Sequence, residues 1–506
     1  MATSQHEWRL SFLQVLVLSP FCGALVTLSL APFDFWPAGI FSCALFAWLL
    51  STCEARQALW RGWLFGLGLF GSGVSWVYVS IHVHGYAPVP LAAFLTLLFC
   101  AGLAIFMALF AWCYVRLARP LPGGMLMGFP LLWVLFEWLR SWVLTGFPWL
   151  LLGYAHLDTW IAGWAPVLGV YGLSFICALS GSCLFLAWRS RQPAAIATYA
   201  VVIGILWIGG GVLKPIQWVA PASDQPLSVA LYQPNVPQEQ KWDRRYYYPI
   251  LEQLETASTP LMGTDILVWP EAAVPNYYQN ARRFIDPIAA QAQLTDTTLI
   301  TGVPFRAEGG EQHHNSIVAL GQGSGVYHKQ RLVPFGEYVP LEGLLRGVIA
   351  FFDLPMSAFT RGQGDQAPLQ AGAFRLAPFI CYEIVYPDLV ASGAQNADLL
   401  ITISNDSWFG DSIGPLQHLQ MAQMRALENG RYLIRGTNNG VSAIIDHRGQ
   451  IVVASERFVE TALQGEVETM LGNTPFSSFG STPIILGCSI GLVMMYLMYL
   501  GSWREE

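Results

Sequence analysis

The stretch "PFICYEIVYP", residues 378–387, has the pattern of a buried β-strand that ends at Cys381 and is followed closely by an acid, Glu383. The chain has nine cysteines, but Cys381 is the only one between Pro215 and Thr482. A cysteine nucleophile reacts as the thiolate and needs a proton acceptor nearby. The lone thiol at a strand end therefore makes Cys381 a candidate nucleophile if such an acceptor reaches it.

Similar apolar runs continue on both sides of this strand, from about residue 226 onward. They are rich in β-branched and aromatic residues and are bounded by turn residues, which favours strands. Helical patterns alternate with them, at 243–257, 281–294, 386–395 and 414–430. This alternation predicts a layered α/β domain. The predicted strands are 228–236, 265–271, 298–305, 374–383 and 397–406, with hairpins at 315–334 and 441–455.

Charged residues are spread unevenly along the chain. Only 14 Asp, Glu, Lys and Arg residues lie in 1–214, against 42 in 215–480. Since a membrane-spanning helix needs about 20 apolar residues, we expect a membrane domain of seven transmembrane helices over 1–214. The α/β domain, 215–480, is then inserted between helices 7 and 8, and 481–506 hold the eighth helix and a short tail. The expected spans are 10–31, 35–53, 60–81, 89–115, 122–145, 161–188, 195–213 and 483–502.

Basic residues predict the orientation of these spans. Every second connection carries arginine, whereas "APFDFWP" (31–37) and "HVHGYAP" (82–88) carry neither Lys nor Arg. The positive-inside rule then places both termini in the cytoplasm and the α/β domain in the periplasm of a bacterial inner membrane. The first apolar stretch is too long for a cleavable signal peptide and is expected to act as a signal anchor. The arginines that set this orientation are Arg9, Arg56, Arg61, Arg116, Arg119, Arg189, Arg191 and Arg504.

Three segments leave their roles open. Glu137 and Arg140 lie one helical turn apart inside a span, so they form either an ion pair in the bundle or a lipid-headgroup site. Residues 339–360 are apolar and aromatic without a clear period, and form either a buried excursion or a lid on the bilayer surface. The segment "DRRYYYP" (243–249) is assigned to helix surface.

Two further strand-end residues are candidates to assist the thiol. Glu271 ends the apolar run "ILVWPE", at an edge where α/β proteins commonly place active sites, and a carboxylate there can accept a thiol proton. Lys329 follows the second strand of a Gly-rich hairpin and can stabilise the oxyanion formed by thiolate attack on a carbonyl. The histidines of the domain are scattered, and none stands out as the base.

These residues carry a resemblance to a known family. Glu271 in "WPEAA", Lys329 in "HKQRLVPFGE" and Cys381 in "ICYEI" resemble the Glu-Lys-Cys triad of the nitrilase, or carbon–nitrogen hydrolase, superfamily. The eight-span envelope and the segments "LVPFGEYVP" and "SNDSWFG" further resemble the apolipoprotein N-acyltransferase family. The resemblance implies a nitrilase-like αββα sandwich and an acyl transfer through a thioester on Cys381.

The same resemblance implies the partners of the reaction. The acyl donor is expected to be a membrane phospholipid, with phosphatidylethanolamine and its sn-1 chain favoured. The acceptor is the free α-amine of the S-diacylglyceryl-cysteine that begins an apolipoprotein. No cofactor or metal is implied, and the net charge of −7 without a basic patch argues against nucleic acid. A monomer is the default expectation.

Supporting residues follow from the same motifs. Glu337 in "FGE" is expected to position the lysine or the acceptor amine, and Tyr382 and Glu383 match positions beside the nucleophile. The backbone N–H of Tyr382 is expected to join Lys329 in holding the oxyanion. Trp242 in "QEQKWD" matches a substrate-handling tryptophan, and we expect Trp408 and Phe409 in "NDSWFG" to line the acyl path.

Two other functions stay open on the sequence alone. A membrane-anchored amidase or nitrilase would use the same triad and pass the acyl group to water. A multispan sensor or transporter with a periplasmic binding domain would not need Cys381 for its function.

Overall fold

The computed structural model describes residues 10–307, 309–310, 312–334, 336–338 and 359–502. The chain folds as two compact units. One unit comprises Met1–Tyr78, Pro90–Ile216 and Ser481–Glu506, and the other comprises Val79–Val89 and Gln217–Gly480. The segment 339–360, expected to be either a buried excursion or a lid, lies outside the described residues except for its last two positions.

The first unit consists of apolar helices. In the described part of the chain, five are long and apolar enough to cross a membrane, and a sixth span results if the bent pair Ala55–Gly73 and Val77–His84 counts as one. Two predicted spans contain shorter helices, Pro37–Ser51 and Phe129–Arg140. The number of seven spans before the α/β domain therefore stays a prediction. The main helices are Phe12–Ser29, Pro37–Ser51, Ala55–Gly73, Val89–Cys113, Phe129–Arg140, Ala165–Ser190, Pro193–Leu213 and Thr482–Ser502.

Glu137 and Arg140 both bind backbone in the irregular segment that follows their helix. Glu137 Oε1 accepts hydrogen bonds from Leu152 N and from the Trp133 indole, each at 2.9 Å. Arg140 Nη1 donates to the carbonyls of Phe147 and Trp149. Non-helical backbone at membrane depth needs such internal partners, because lipid offers none. The two side chains thus brace this segment, and a direct ion pair between them stays a prediction.

The second unit contains two mixed β-sheets. The six-stranded sheet has the order Thr461–Val467, Leu227–Gln233, Ile266–Val268, Thr298–Arg306, His313–Gly321, Val326–His328. The seven-stranded sheet has the order Ile451–Ala454, Ala443–Ile445, Leu433–Thr437, Leu399–Ser404, Phe374–Ile380, Leu369–Ala371, Gly323–Ser324. A small third sheet pairs Ala220–Pro221 with Met470–Leu471.

The two large sheets pack face to face, with helices on their outer sides. Side chains from both sheets, such as Val268 and Ile401, form one buried core between them. The helices Tyr247–Ser258 and Tyr278–Leu294 cover the outer face of the six-stranded sheet. Pro387–Ala394 and Gly414–Asn429 pack on the seven-stranded sheet. The central parallel strands are buried on both faces, which explains why their sequences are almost continuously apolar.

The Gly-rich hairpin differs from its predicted form. Val326–His328 pairs antiparallel with His313–Gly321, as expected. The intervening Gly323–Ser324, however, pairs with Leu369–Ala371 in the other sheet. The turn therefore divides its backbone hydrogen bonds between the two sheets, a long-range pairing that local pattern does not reveal.

Candidate active site

Cys381 lies at the end of the Phe374–Ile380 strand, at the start of the turn Cys381–Val385. Its φ of 51° places a non-glycine residue in the left-handed region, a conformation that costs roughly 1–3 kcal/mol and is concentrated at functional sites. Burial raises the pKa of the thiol well above its ordinary value, the Glu271 carboxylate adds to the rise, and Lys329 opposes it. The resting nucleophile is therefore a neutral thiol that needs a base during attack.

Glu271 follows the Ile266–Val268 strand and has both carboxylate oxygens engaged. Oε1 accepts from Asn315 Nδ2 at 2.7 Å, and Oε2 accepts from the backbone N–H of Asn405 at 2.8 Å. The adjacent strand approaches closely because position 302 is glycine: a Cβ there would lie 2.7 Å from Glu271 Cα. These contacts hold the carboxyl group in one orientation.

Lys329 is held between two carboxylates. Its Nζ lies 2.9 Å from both oxygens of Glu337 and 3.6 Å from Glu271 Oε1. Burial alone would lower the pKa of Lys329, but the Glu337 and Glu271 carboxylates outweigh it and raise that pKa above its ordinary value. The side chain is only 1% exposed. An ammonium held by two carboxylates in a buried site suits the stabilisation of an oxyanion.

Asn315 connects the base to the glutamate that holds the lysine, a role that the sequence analysis missed. Its Nδ2 donates to Glu271 Oε1 and, at 2.9 Å, to Glu337 Oε1. Its backbone carbonyl oxygen accepts from the backbone N–H of Lys329 at 2.9 Å. A buried amide side chain next to the apolar run "IVAL" of the His313–Gly321 strand is the local signal that marked it.

The Glu383 carboxylate accepts hydrogen bonds both from the segment that leads to Cys381 and from the segments on either side of Lys329, and so connects them. One oxygen accepts from the Tyr327 hydroxyl and from the N–H groups of Gln330 and Arg331, and the other accepts from Ile380 N. Burial raises the pKa of this carboxyl to about 7. With both oxygens occupied by structural donors, Glu383 is placed to position the strand end that carries Cys381.

The remaining predicted residues lie at the margins of this cluster. Tyr382 is buried and packs edge-on against Tyr386. Trp242 is 40% exposed and follows the short helix Gln238–Lys241. The described contacts of these two residues do not show the oxyanion and substrate roles expected of them, which stay predictions.

Lys241, which the sequence analysis did not single out, lies closer to the base. It is buried and donates from Nζ to the Glu271 carbonyl oxygen at 2.8 Å. Burial lowers its pKa to about 8. This lysine therefore helps to fix the backbone of the base.

The loop with Trp408 and Phe409 is held by a segment far away in sequence. Ser80 Oγ donates to the Trp408 carbonyl at 2.7 Å, and the His84 ring lies 5.3 Å from the Trp408 ring. Phe409 is buried and packs against His418, with ring centroids 6.0 Å apart. Their role in lining the acyl path stays a prediction.

A fully buried polar network lies behind the nucleophile. His418 Nε2 lies 3.1 Å from the Cys381 carbonyl oxygen, and its Nδ1 lies 3.3 Å from Asp406 Oδ1. Arg435 Nη2 donates to Asp406 Oδ2 at 2.8 Å. Burial opposes ionisation of Asp406, but Arg435 and then His418 lower its pKa below the ordinary value. Because Asn405, which donates to the base, directly precedes Asp406, one network supports both the nucleophile and the base.

We expect His418→Ala to lower kcat for thioester formation about tenfold or more, because the Cys381 carbonyl loses its buried partner. His418→Gln, whose amide nitrogen reaches a similar position, should recover part of the rate. Timed assays of Cys381 acylation, with an acyl donor and no acceptor, measure both variants. Since His418 acts through the backbone of Cys381, KM for the donor should stay unchanged; a rise in KM with intact kcat would contradict this positioning role.

The cluster as a whole can carry out nucleophilic acyl transfer. It combines a thiol, a carboxylate able to take its proton, and a fixed ammonium able to stabilise an oxyanion. Glu271, Lys329 and Cys381 come from the ends of three strands, and electrostatic interactions of the thiol with the other two side chains link them.

Comparison with known proteins agrees with this chemistry. Residues 22–183 match the family model described as apolipoprotein N-acyltransferase N-terminal domain, and residues 228–475 match the model for carbon–nitrogen hydrolase. A relative named apolipoprotein N-acyltransferase from Pseudomonas paraeruginosa is 49% identical over 468 residues, 91% of each chain. A relative of the same name from Vibrio vulnificus is 38% identical over 503 residues, 97% of each chain.

Proposed function

The chain belongs to the apolipoprotein N-acyltransferase family, and from this premise we propose that Glu271, Lys329 and Cys381 are the catalytic triad of its reaction. The protein is a bacterial membrane acyltransferase that N-acylates lipoproteins with a lipid-derived acyl chain. The observation that supports the triad most directly is the position of the buried Lys329 ammonium, 3.6 Å from Glu271 Oε1. Both groups interact electrostatically with the Cys381 thiol.

In the first half-reaction, Glu271 takes the thiol proton as Cys381 Sγ attacks the sn-1 ester carbonyl of a phospholipid, with phosphatidylethanolamine as the proposed donor. Lys329 and the Tyr382 N–H hold the oxyanion of the tetrahedral intermediate. The C–O bond then breaks, and Glu271 returns the proton to the departing glycerol oxygen. A lysophospholipid leaves, and the acyl chain remains as a thioester on Cys381.

In the second half-reaction, the α-amine of an S-diacylglyceryl-cysteine attacks the thioester carbonyl. Glu271 takes a proton from the attacking nitrogen and returns it to the departing Cys381 sulfur. The products are the N-acylated lipoprotein and the free thiol. Cys381, Lys329 and Glu271 are all buried, which supports transfer to a positioned amine instead of water.

Membrane topology is part of the proposal. We place 1–214 as a domain with seven spans in the inner membrane, and the catalytic αββα domain, 215–480, between spans 7 and 8 on the periplasmic side. The apolar helices Pro193–Leu213 and Thr482–Ser502 flank that domain in sequence, which supports this arrangement. Both termini are then cytoplasmic, and the working unit is a monomer.

The proposed reaction can be tested with labelled phosphatidylethanolamine and a diacylglyceryl-cysteine peptide. The expected products are one lysophospholipid and one N-acylated peptide for each acyl chain transferred. Release of free fatty acid with no acylated peptide would support the hydrolytic alternative instead. Omission of the peptide should leave a stable thioester with no further turnover.

A further inference from the structure

A groove of about 250 Å³ lies next to the segment that follows the Leu227–Gln233 strand. This strand runs parallel to Ile266–Val268, which leads to Glu271, and pairs with it through Leu231 and Val268. Adjacent strands lie about 4.8 Å apart. The groove therefore opens at the same sheet edge as the base, one strand away. Its lining residues include Pro234, Pro237, Gln240, Tyr246, Pro249 and Glu460.

Hydrogen bonds connect the wall of this groove to the base. Val236 N donates to Asn438 Oδ1 at 3.1 Å, and Asn438 Nδ2 donates to Asn405 Oδ1 at 3.2 Å. Asn405 N in turn donates to Glu271 Oε2. Asn405 Nδ2 also donates to Gln238 Oε1 at 2.7 Å, in the short helix that carries Gln240. These hydrogen bonds fix the position of the groove wall relative to Glu271. A ligand in the groove would therefore be held at a fixed position relative to the active site.

The residues that line the groove indicate which part of the substrates it can bind. Proline rings and Tyr246 offer flat apolar surfaces, whereas Gln240 and Glu460 offer polar groups, and the Glu460 carboxylate is held by the Tyr232 hydroxyl at 2.7 Å. A uniformly apolar acyl chain does not match these walls. The described lining residues include a carboxylate and no basic side chain, which disfavours a phosphate headgroup. An extended polypeptide, with alternating polar backbone and side chains, fits both features.

We propose that this groove binds the first residues of the acceptor polypeptide that follow its lipidated cysteine. The inference rests on the proposed function, since it assumes an acceptor whose amine reaches Cys381. When that amine is at the thioester, the chain attached to the same cysteine has to leave the site. The groove, whose wall is linked to Glu271 through Asn438 and Asn405, offers that chain a binding site and gives the segment "DRRYYYP" a role through Tyr246.

Two acceptors and three variants test this groove. The acceptors are a diacylglyceryl-cysteine peptide with five further residues and S-diacylglyceryl-cysteine amide, which has no polypeptide to place there. Tyr246→Ala removes one wall, and Gln240→Trp fills the cavity. Tyr248→Ala is the matched control, because Tyr248 lies in the first turn of the helix that begins after Tyr246, is 76% exposed and does not line the groove.

We expect Tyr246→Ala and Gln240→Trp to raise KM for the peptide acceptor about tenfold, as loss of a well-packed contact residue does. KM for the amide acceptor and the rate of thioester formation should match those of the parent enzyme, and Tyr248→Ala should change none of the three. Equal effects on both acceptors, or no effect on either, would contradict the proposal that the groove binds the acceptor polypeptide. Failure of the parent enzyme to acylate either acceptor would instead refute the proposed function, and the groove's role with it.

Discussion

Cys381→Ala is expected to abolish acyl transfer, a loss of about 10⁴-fold or more, because no other group can form the thioester. Cys381→Ser should be nearly as inactive. A serine hydroxyl is a far weaker acid than a thiol, and the site already raises the pKa of the thiol through burial and Glu271. A carboxylate base suited to a thiol is too weak to deprotonate an alcohol at the same rate.

Mass spectrometry of the unmodified enzyme after incubation with donor alone measures this directly. One acyl chain should appear on the peptide that contains Cys381, and addition of the acceptor peptide should remove it. Cys113→Ala is a suitable control, since that cysteine lies in the apolar helix Val89–Cys113 and should leave transfer intact. An acyl chain on another residue, or undiminished transfer by Cys381→Ala, would show that Cys381 is not the nucleophile.

Glu271→Gln should reduce thioester formation about 10³-fold to 10⁴-fold, the upper range for loss of a general base. The substitution keeps the shape of the side chain but removes its basicity. Lys329 would still contact both oxygens of Glu337 at 2.9 Å, so its charge should persist. Collapse of the oxyanion site is therefore not the expected cause of the loss; the causes are the missing base and the amide nitrogen that Gln places against Asn315 Nδ2 or the Asn405 N–H.

The matched control for the base is Glu255→Gln, an exposed carboxylate on the Tyr247–Ser258 helix. It should form the thioester at the parent rate. Rapid mixing with labelled phospholipid, followed by acid quench, gives the rate for each variant. If Glu271→Gln produced a full burst of thioester at the parent rate, the base would have to be sought elsewhere.

Glu383 is the acid nearest to Cys381 in sequence, yet the structure argues against it as the base. Its two oxygens accept from Tyr327, from Ile380 and from the lysine segment through Gln330 and Arg331. Taking a thiol proton would disrupt these bonds. Glu271, whose oxygens face Lys329 and Asn315, lies in the same charge cluster as the thiol.

Strand patterns were predictable where the chain is continuously apolar. "DILVWPE", "FRLAPFICYE" and "ADLLITISND" correspond to the strands Ile266–Val268, Phe374–Ile380 and Leu399–Ser404. The strands that escaped prediction include Leu433–Thr437 and Thr461–Val467. The first contains Arg435, whose charge is buried against Asp406, and the second is an alternating, half-exposed strand at the sheet edge.

Local sequence was sufficient to identify which side chains stand at strand ends, because a strand is marked by its own run of apolar residues and by the polar residue that terminates it. Glu271, Lys329 and Cys381 could be found in this way. Glu337 was expected to position the lysine or the acceptor amine, but the partners Asn405 and His418 could not be predicted. Asn405 binds Glu271 across 134 residues, and His418 reaches the Cys381 carbonyl across 37. Such pairings depend on the order and register of strands within the two sheets. Burial of the shared core determines that order and register, and no short segment of sequence encodes them.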